Sequence, residues 1–374
     1  MQYPPLPAPA GNQAKEVGVV RIYSSLFILI ILSLFALSGC GTDKEEWKDS
    51  QEWSWQSEGT LALINGQVQK IDESQKEKVC SEHFCEPNYI YSIEFARRKP
   101  VSPPAPKPTP TVTPKPPVSA ELASYSHKIL KTAEAWKKTK GSKEVVVAVV
   151  DTGVDVAHPD LAANIYVNEQ EQKGATGVDD DGNGYVDDVY GYDFANNKAN
   201  ALDDHSHGTH CAGIIGAELN GVGMAGVAPV VKIMPIKFLS ASGMGTTEAA
   251  IKSIEYATAN GAHIISNSWG GGPRSELLAQ AIQKAIDRGI LVVAAAGNNA
   301  MNTDFTPHYP SAYPGVISVA STDDQDKLST FSNYGVISVL IAAPGTKINS
   351  TVPGGLWAEK SGTSMATPQV SGAL

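Results

Sequence analysis

The 374-residue chain predicts an α/β fold in three layers (αβα), a mostly parallel sheet with helices on both faces, preceded by a small α+β segment and a proline-rich linker. Three observations carry this. Apolar, strand-like runs recur at 145–150, 231–236, 262–267, 290–296 and 315–320, and helical patterns lie at Glu248–Ala259 and Ser275–Arg288. Strands alternating with helices favour parallel pairing through crossover helices. The run Val145 to Val150 has no polar alternation, which reads as a strand buried on both faces. Polar residues able to do chemistry stand where such runs end, the place an open α/β sheet reserves for its site.

The elements follow in chain order. After a proline- and alanine-rich start come Lys15, Arg21 and the apolar run Ile22 to Leu37. Its length and flanks indicate a signal peptide over residues 1–39 rather than a spanning helix. The run ends in Leu37-Ser38-Gly39-Cys40, which resembles the bacterial lipoprotein processing box. That resemblance implies a lipidated Cys40 and a chain that is exported, lipid-anchored to the bacterial cell envelope or secreted. Residues 40–99 form a small segment with its own tryptophans. Cys80 and Cys85 lie close enough for a local disulfide in an exported chain, or remain free thiols. A zinc site there has only His83 to add. Arg97-Arg98-Lys99 offers an accessible processing site. Residues 100–118 mix proline with Ser, Thr and Lys and read as an extended, semi-rigid spacer. The main domain spans 119–374.

Three segments of that domain carry nucleophilic chemistry. Val145–Val150 ends in Asp151-Thr152-Gly153. The polar stretch Asp204-His205-Ser206-His207 runs into the small-residue helix pattern Gly208-Thr209-His210-Cys211-Ala212-Gly213. Gly362-Thr363-Ser364-Met365-Ala366-Thr367-Pro368 sets a serine at a helix start, where the backbone N–H groups and the dipole favour a developing negative charge. A serine hydroxyl is a poor nucleophile unless a base takes its proton and a third group orients that base. The order Asp, His, Ser is that of subtilisin, not of chymotrypsin or the α/β-hydrolases.

The strings VVDTGVD, HGTHCAG, AAAGN and GTSMATP, in this order from about Ser119 onward, resemble the subtilisin-like serine proteases, the subtilases. The resemblance implies a serine endopeptidase acting on polypeptide substrates through an acyl-enzyme. Asp151, His207 and Ser364 would be the triad, and Asn298 with the Ser364 N–H the oxyanion hole. Gly243-Met244-Gly245 and Ser268-Trp269-Gly270 would sandwich the peptide as an antiparallel strand. His308 would stand at the floor of the primary specificity pocket, in place of a glycine, with Tyr309-Pro310 a cis peptide. The strand-like end of the small segment, Cys85 to Tyr91, resembles the last strand of inhibitory prodomains, so residues 40–99 are a reduced prodomain or an unrelated tether. The chain stops soon after Ser364, where the family continues, so a C-terminally incomplete domain is expected, with a non-catalytic fragment or peptide-binding pseudoprotease as the alternative.

Calcium (Ca2+) is the expected cofactor. Asp179-Asp180-Asp181-Gly182-Asn183-Gly184-Tyr185-Val186-Asp187-Asp188 spaces oxygen ligands around two glycines, like the early part of an EF-hand loop without its final glutamate. Asp179, Asp181, Asn183 and Asp188 would bind through side chains and Tyr185 through its carbonyl. By the family resemblance, Asp160 and Asn220, with carbonyls of Glu218, Val222 and Met224, would form a second site. His205, His207 and His210 lack the spacing of a zinc helix. A net charge of −10 argues against nucleic acid as a partner. The lipid bilayer, through Cys40, and polypeptides are the expected partners of a monomer.

Overall fold

The computed structural model describes residues 56–93 and 124–374. The signal segment with Cys40, the basic triplet 97–99 and the spacer 100–118 lie outside the described residues.

The N-terminal segment forms a small module of β1 (Ser57–Ile64), β2 (Gln67–Ile71), α1 (Lys76–Glu82) and β3 (Cys85–Ser92). Asn65-Gly66 closes the β1–β2 hairpin with both residues at positive φ, the backbone a tight hairpin turn requires and glycine and asparagine tolerate. A Cys80–Cys85 disulfide ties α1 to the start of β3. A module this small buries little apolar surface, so the staple supplies order its core cannot.

In the main domain α2 (Tyr125–Leu130) and α3 (Thr132–Ala135) lead into β4 (Gly141–Asp151), the sheet's central strand. Then come α4 (Glu169–Lys173), the short pair β5 (Tyr192–Asp193) and β6 (Lys198–Ala199), α5 (His207–Gly216), β7 (Val230–Lys237) and β8 (Met244–Thr246). Next are α6 (Thr247–Ala259), β9 (Ile264–Asn267), α7 (Glu276–Asp287), β10 (Leu291–Ala295), β11 (Ile317–Thr322) and β12 (Ile341–Pro344). A hairpin of β13 (Ile348–Val352) and β14 (Leu356–Lys360) precedes α8 (Thr363–Ala373). The sheet order is β12-β11-β10-β9-β4-β7-β5-β6, parallel except for β6.

The two-faced burial of β4 follows its period of two. Val146, Ala148 and Val150 join the core beneath α6 and α7, while Val147 and Val149 join the core beneath α5 and α8. Both outer helices begin on caps legible in the sequence. Thr246 Oγ1 accepts the Ala249 N–H and Ser275 Oγ that of Leu278, each worth about 1 kcal/mol. The five expected strands and two expected helices are present. The edge strand β12 and the β13–β14 hairpin were not foreseen. Ile341 and Ala342 are exposed and Pro344 ends the strand, so β12 lacks the apolar run of a central strand.

Candidate active site

The carboxyl end of β4, the N-terminus of α5 and the N-terminus of α8 meet in one place. Asp151, fully buried, closes β4. Its Oδ1 accepts the Thr152 N–H at 2.7 Å and lies 2.8 Å from His207 Nδ1, with Oδ2 at 3.0 Å from the same nitrogen. His207 is the first residue of α5. Ser206 before it takes φ 92°, a strained value for a residue with a Cβ. Asp203 holds this turn by accepting from Thr152 Oγ1, Ser206 N, Thr209 N and Thr209 Oγ1. The sequence reading missed Asp203. Its signal is an acid just ahead of a helix that has no other side-chain cap.

Ser364 is the second residue of α8. Its hydroxyl donates to Ser268 O at 2.9 Å, and Ser268 Oγ donates back to Ser364 O at 3.0 Å. Cys211 Sγ lies 3.8 Å from His207 Nδ1 and 3.5 Å from Ser364 O, so imidazole and serine flank one thiol. The bond to Ser364 O has a cause inside α8. Pro368, four residues on, has no N–H to give that carbonyl, and the interior proline would leave it orphaned. Ser268 and Cys211 supply the missing donors, which couples the turn of Ser364 to the strand end at β9. Cys211 is fully buried and burial pushes its thiol well up, so it acts as a donor and not as a thiolate.

Asn298 follows β10. Its Oδ1 accepts from Thr363 N at 2.8 Å and Thr363 Oγ1 at 3.0 Å, which fixes the amide's orientation and turns the Nδ2 donor the other way. A Cβ built on Gly362 would stand 3.5 Å from that Nδ2, an ordinary van der Waals contact. Ser364 N sits in the first turn of α8, where no intrahelical carbonyl is available to it.

His210 lies one turn further along α5 and is fully buried. Its Nε2–H donates to Ile348 O at 3.1 Å and Ala358 O at 3.0 Å, tying α5 to the β13–β14 hairpin. Burial, with Lys360 next, pushes its pKa down to about 3. Between pH 6.5 and about 3 the unfolded chain therefore binds a proton that the folded chain refuses. Stability from this group is complete above the unfolded value and is lost as pH falls through that window. Wild-type protein is expected to melt progressively earlier from pH 6.5 to 4, and His210→Gln to show a shallower slope; equal slopes would remove His210 as the cause.

The two segments expected to bind peptide frame a groove. Met244-Gly245 lie in β8, and Ser268-Trp269-Gly270 follow β9. The groove contains the chain's own β3. Ile90, Tyr91 and Ser92 pair antiparallel with Thr246, Gly245 and Met244. On the other side Ser92 N donates to Gly270 O at 3.4 Å and Gly270 N to Ser92 O at 3.3 Å. Ile93 N donates to Gly243 O at 3.0 Å. Tyr91 is fully buried, edge-on to Trp269 with ring centroids 5.3 Å apart. The module also docks on the helices. Glu86 Oε2 accepts the Glu276 N–H at 2.8 Å and its other oxygen the Ser275 hydroxyl, at the N-terminus of α7. Asn88 Oδ1 accepts the Glu248 N–H at 3.0 Å, at that of α6. Each anchors β3 on an orphan helix donor.

His308 is buried between two glycines, and Tyr309-Pro310 is cis. In the acidic loop Asp181, Asn183 and Asp188 do converge, joined by Glu171 of α4, which the sequence reading missed. Carboxylate oxygens of Glu171, Asp181 and Asp188 lie within 4.8 Å of one another. Asn168 Nδ2 and Asn183 Nδ2 bridge Asp181 and Asp188, and Tyr256 OH donates to Asp188. Burial raises the Asp188 pKa. Asp179 instead accepts the N–H groups of Gly182, Asn183 and Gly184. At the second expected site Asp160 Oδ2 accepts from Met224 N and Trp357 Nε1, and Asn220 Oδ1 from Val222 N.

A strand-end carboxylate, a helix-start imidazole and a helix-start serine beside an oriented amide define a serine endopeptidase on an α/β sheet. The chain belongs to the subtilase family (peptidase S8), whose profile matches residues 142–374. It is 42% identical over 249 residues to thermitase of Thermoactinomyces vulgaris, covering 66% of this chain and 79% of that protein. It is 40% identical over 242 residues to a thermophilic serine proteinase of Bacillus sp. (strain AK1), covering 64% of this chain and 54% of that one. A cold-adapted subtilisin-like serine proteinase of known structure aligns with TM-score 0.50 at 34% identity, over 62% of this chain and 73% of its own. No feature of the site favours the non-catalytic alternative.

Proposed function

We propose that this serine endopeptidase is made as a self-inhibited, calcium-supported precursor. Ser364 attacks the scissile carbonyl, and His207 takes its proton and returns it to the leaving amine. Asp151 holds the imidazole and offsets its positive charge, and Asn298 Nδ2 with the Ser364 N–H receives the oxyanion. Gly243–Gly245 and Ser268–Gly270 bind the peptide backbone as strand partners. One observation carries the reading: residues 91–93 of the chain itself already lie between those two edges, paired as a substrate would be. The 40–99 segment is then an inhibitory module, tied through the 100–118 spacer to the catalytic domain 119–374.

The donor set Glu171, Asp181, Asn183 and Asp188 suits a hard cation. The three carboxylates of this set are crowded, and none of the ion pairs among the described residues involves them. Calcium would link α4, the loop and, through Tyr256, α6. Asp160 and Asn220 are the second candidate pair, with both atoms already serving backbone and indole donors. The Cys80–Cys85 disulfide suits an oxidising compartment and supports export, with Cys40 as a lipid anchor.

A fluorophosphonate is expected to label Ser364 alone once the inhibitory module has been cleaved from the protein, and to fail on His207→Ala. No label, or a label elsewhere, would remove the catalytic assignment. Peptide mass analysis of the exported protein reports the anchor as an acylated N-terminal peptide beginning at Cys40; an unmodified peptide running through Cys40 excludes it.

A further inference from the structure

We infer that Lys360 is a positioning residue of this peptidase: its ammonium clamps Ser206, the residue that sets the angle of His207, and so ties His207 to the segment that carries Ser364. This rests on the serine peptidase reading above. Lys360 ends β14, four residues before Ser364, and lies outside every motif that pointed to the site. Its Nζ donates to Ser206 O at 3.0 Å and to Ser206 Oγ at 2.9 Å. Ser206 is the residue at φ 92° that leads the chain into α5, and His207 follows it directly. A residue held outside its preferred backbone region keeps that conformation only where its surroundings enforce it. Here Asp203 accepts the Ser206 N–H, and Lys360 holds the carbonyl and the hydroxyl.

The link is short and pinned at both ends. Between Lys360 and Ser364, Ser361 Oγ accepts the Lys347 N–H at 2.8 Å, Gly362 N donates to Gly345 O at 2.9 Å, and Thr363 N donates to Asn298 Oδ1 at 2.8 Å. The β13–β14 hairpin is also fastened along α5. Ser350 Oγ donates to His210 O at 2.8 Å, and Thr351 Oγ1 to Thr209 O at 2.7 Å. Lys360 extends that attachment past the start of the helix, to the turn that aims the imidazole.

Stability does not account for this lysine. Ser206 stands at the N-cap, where a serine oxygen ordinarily takes an N–H of the first turn. Lys360 engages that oxygen instead, and the first-turn N–H groups of Gly208 and Thr209 go to Thr152 Oγ1 and Asp203. A cation beside the positive end of a helix is unfavourable. Burial pushes the ammonium below the usual lysine range, with Asp203 and Asp151 opposing that push. None of the ion pairs among the described residues includes it. A methionine of similar length avoids the charge and its burial, but it cannot donate to the two oxygens of Ser206.

The test uses the full chain with its N-terminal module cut off by an added, immobilised protease, and rates are expressed per site titrated with fluorophosphonate. Lys360→Met is expected to lower kcat on a peptide amide by roughly 10–100-fold, the scale of a misplaced reacting group, with KM changed by less than about twofold. Lys360→Arg keeps the donors and should recover kcat to within about threefold of wild type. In a Ser364→Ala background, Lys360→Met should melt no earlier than its parent. Wild-type kcat in Lys360→Met, a loss carried by KM, or an earlier melt with no recovery by arginine overturns the positioning role and leaves the peptidase reading standing. Absence of Ser364-dependent hydrolysis in the wild-type chain overturns both.

Discussion

Ser364→Ala is expected to lower kcat by roughly 10⁴–10⁶-fold with little change in KM, and Asp151→Asn by about 10⁴-fold. The scale is that measured on subtilisin and trypsin-type enzymes; what this structure supplies is the reason the losses should be of that kind. Ser364 is held from two sides, its hydroxyl by Ser268 O and its carbonyl by Ser268 Oγ and Cys211 Sγ. Alanine keeps the carbonyl bonds and removes only the hydroxyl, so the fold and the peptide-binding edges stay. Asp151→Asn is different in kind. An asparagine can turn an N–H toward His207 Nδ1, which selects the tautomer that cannot accept the serine's proton. Steady-state kinetics on a peptide amide, with binding of a substrate-like peptide measured separately, checks both. A loss in kcat/KM that comes wholly from KM would contradict the assigned roles.

The residues proposed for catalysis were legible because each sits in a local pattern with its own physical signature. Asp151 ends a strand too apolar for a surface, and Ser364 opens a helix between glycine and small residues. The pairing of β3 with β8 and Gly270 was only half legible. The strand-like end Cys85–Tyr91 was visible, but its register depends on hydrogen bonds between positions about 150 residues or more apart, and no local pattern fixes those. Pro368 shows the same limit from inside a helix. A proline four residues after Ser364 announces an orphaned carbonyl, yet which side chains satisfy it emerges only when β9 and α5 are packed against α8. Glu171 was missed as a neighbour of Asp181 and Asp188 for a related reason. It lies on the short helix α4, outside the loop whose alternating acids suggested a site, and it reaches the loop by accepting the backbone N–H groups of Asp180, Asp181 and Asp187.

Removing calcium is expected to lower the melting temperature of Ser364→Ala protein, used so that self-digestion cannot blur the transition. A ligand at 100–1,000 times its dissociation constant stabilises by about 2.7–4.1 kcal/mol, which for a domain of this size is roughly 5–15 °C. The geometry says where that stability would enter. Asp188 is fully buried and takes bonds from Asn168, Asn183 and Tyr256, all neutral donors. Its neighbours Asp181 and Glu171 add charge of the same sign, with only backbone and amide N–H groups to offset it. A divalent cation replaces that mutual repulsion with attraction and ties α4 to α6 through Tyr256. Glu171→Gln and Asp188→Asn should each reduce the calcium-dependent increment, and Asp188→Asn should also lower the stability of the chelated protein, because an amide offers one acceptor where Asp188 takes bonds on both oxygens. Identical melting in chelator and in millimolar calcium, with the variants unchanged, would show that amide and hydroxyl donors alone hold the acidic loop.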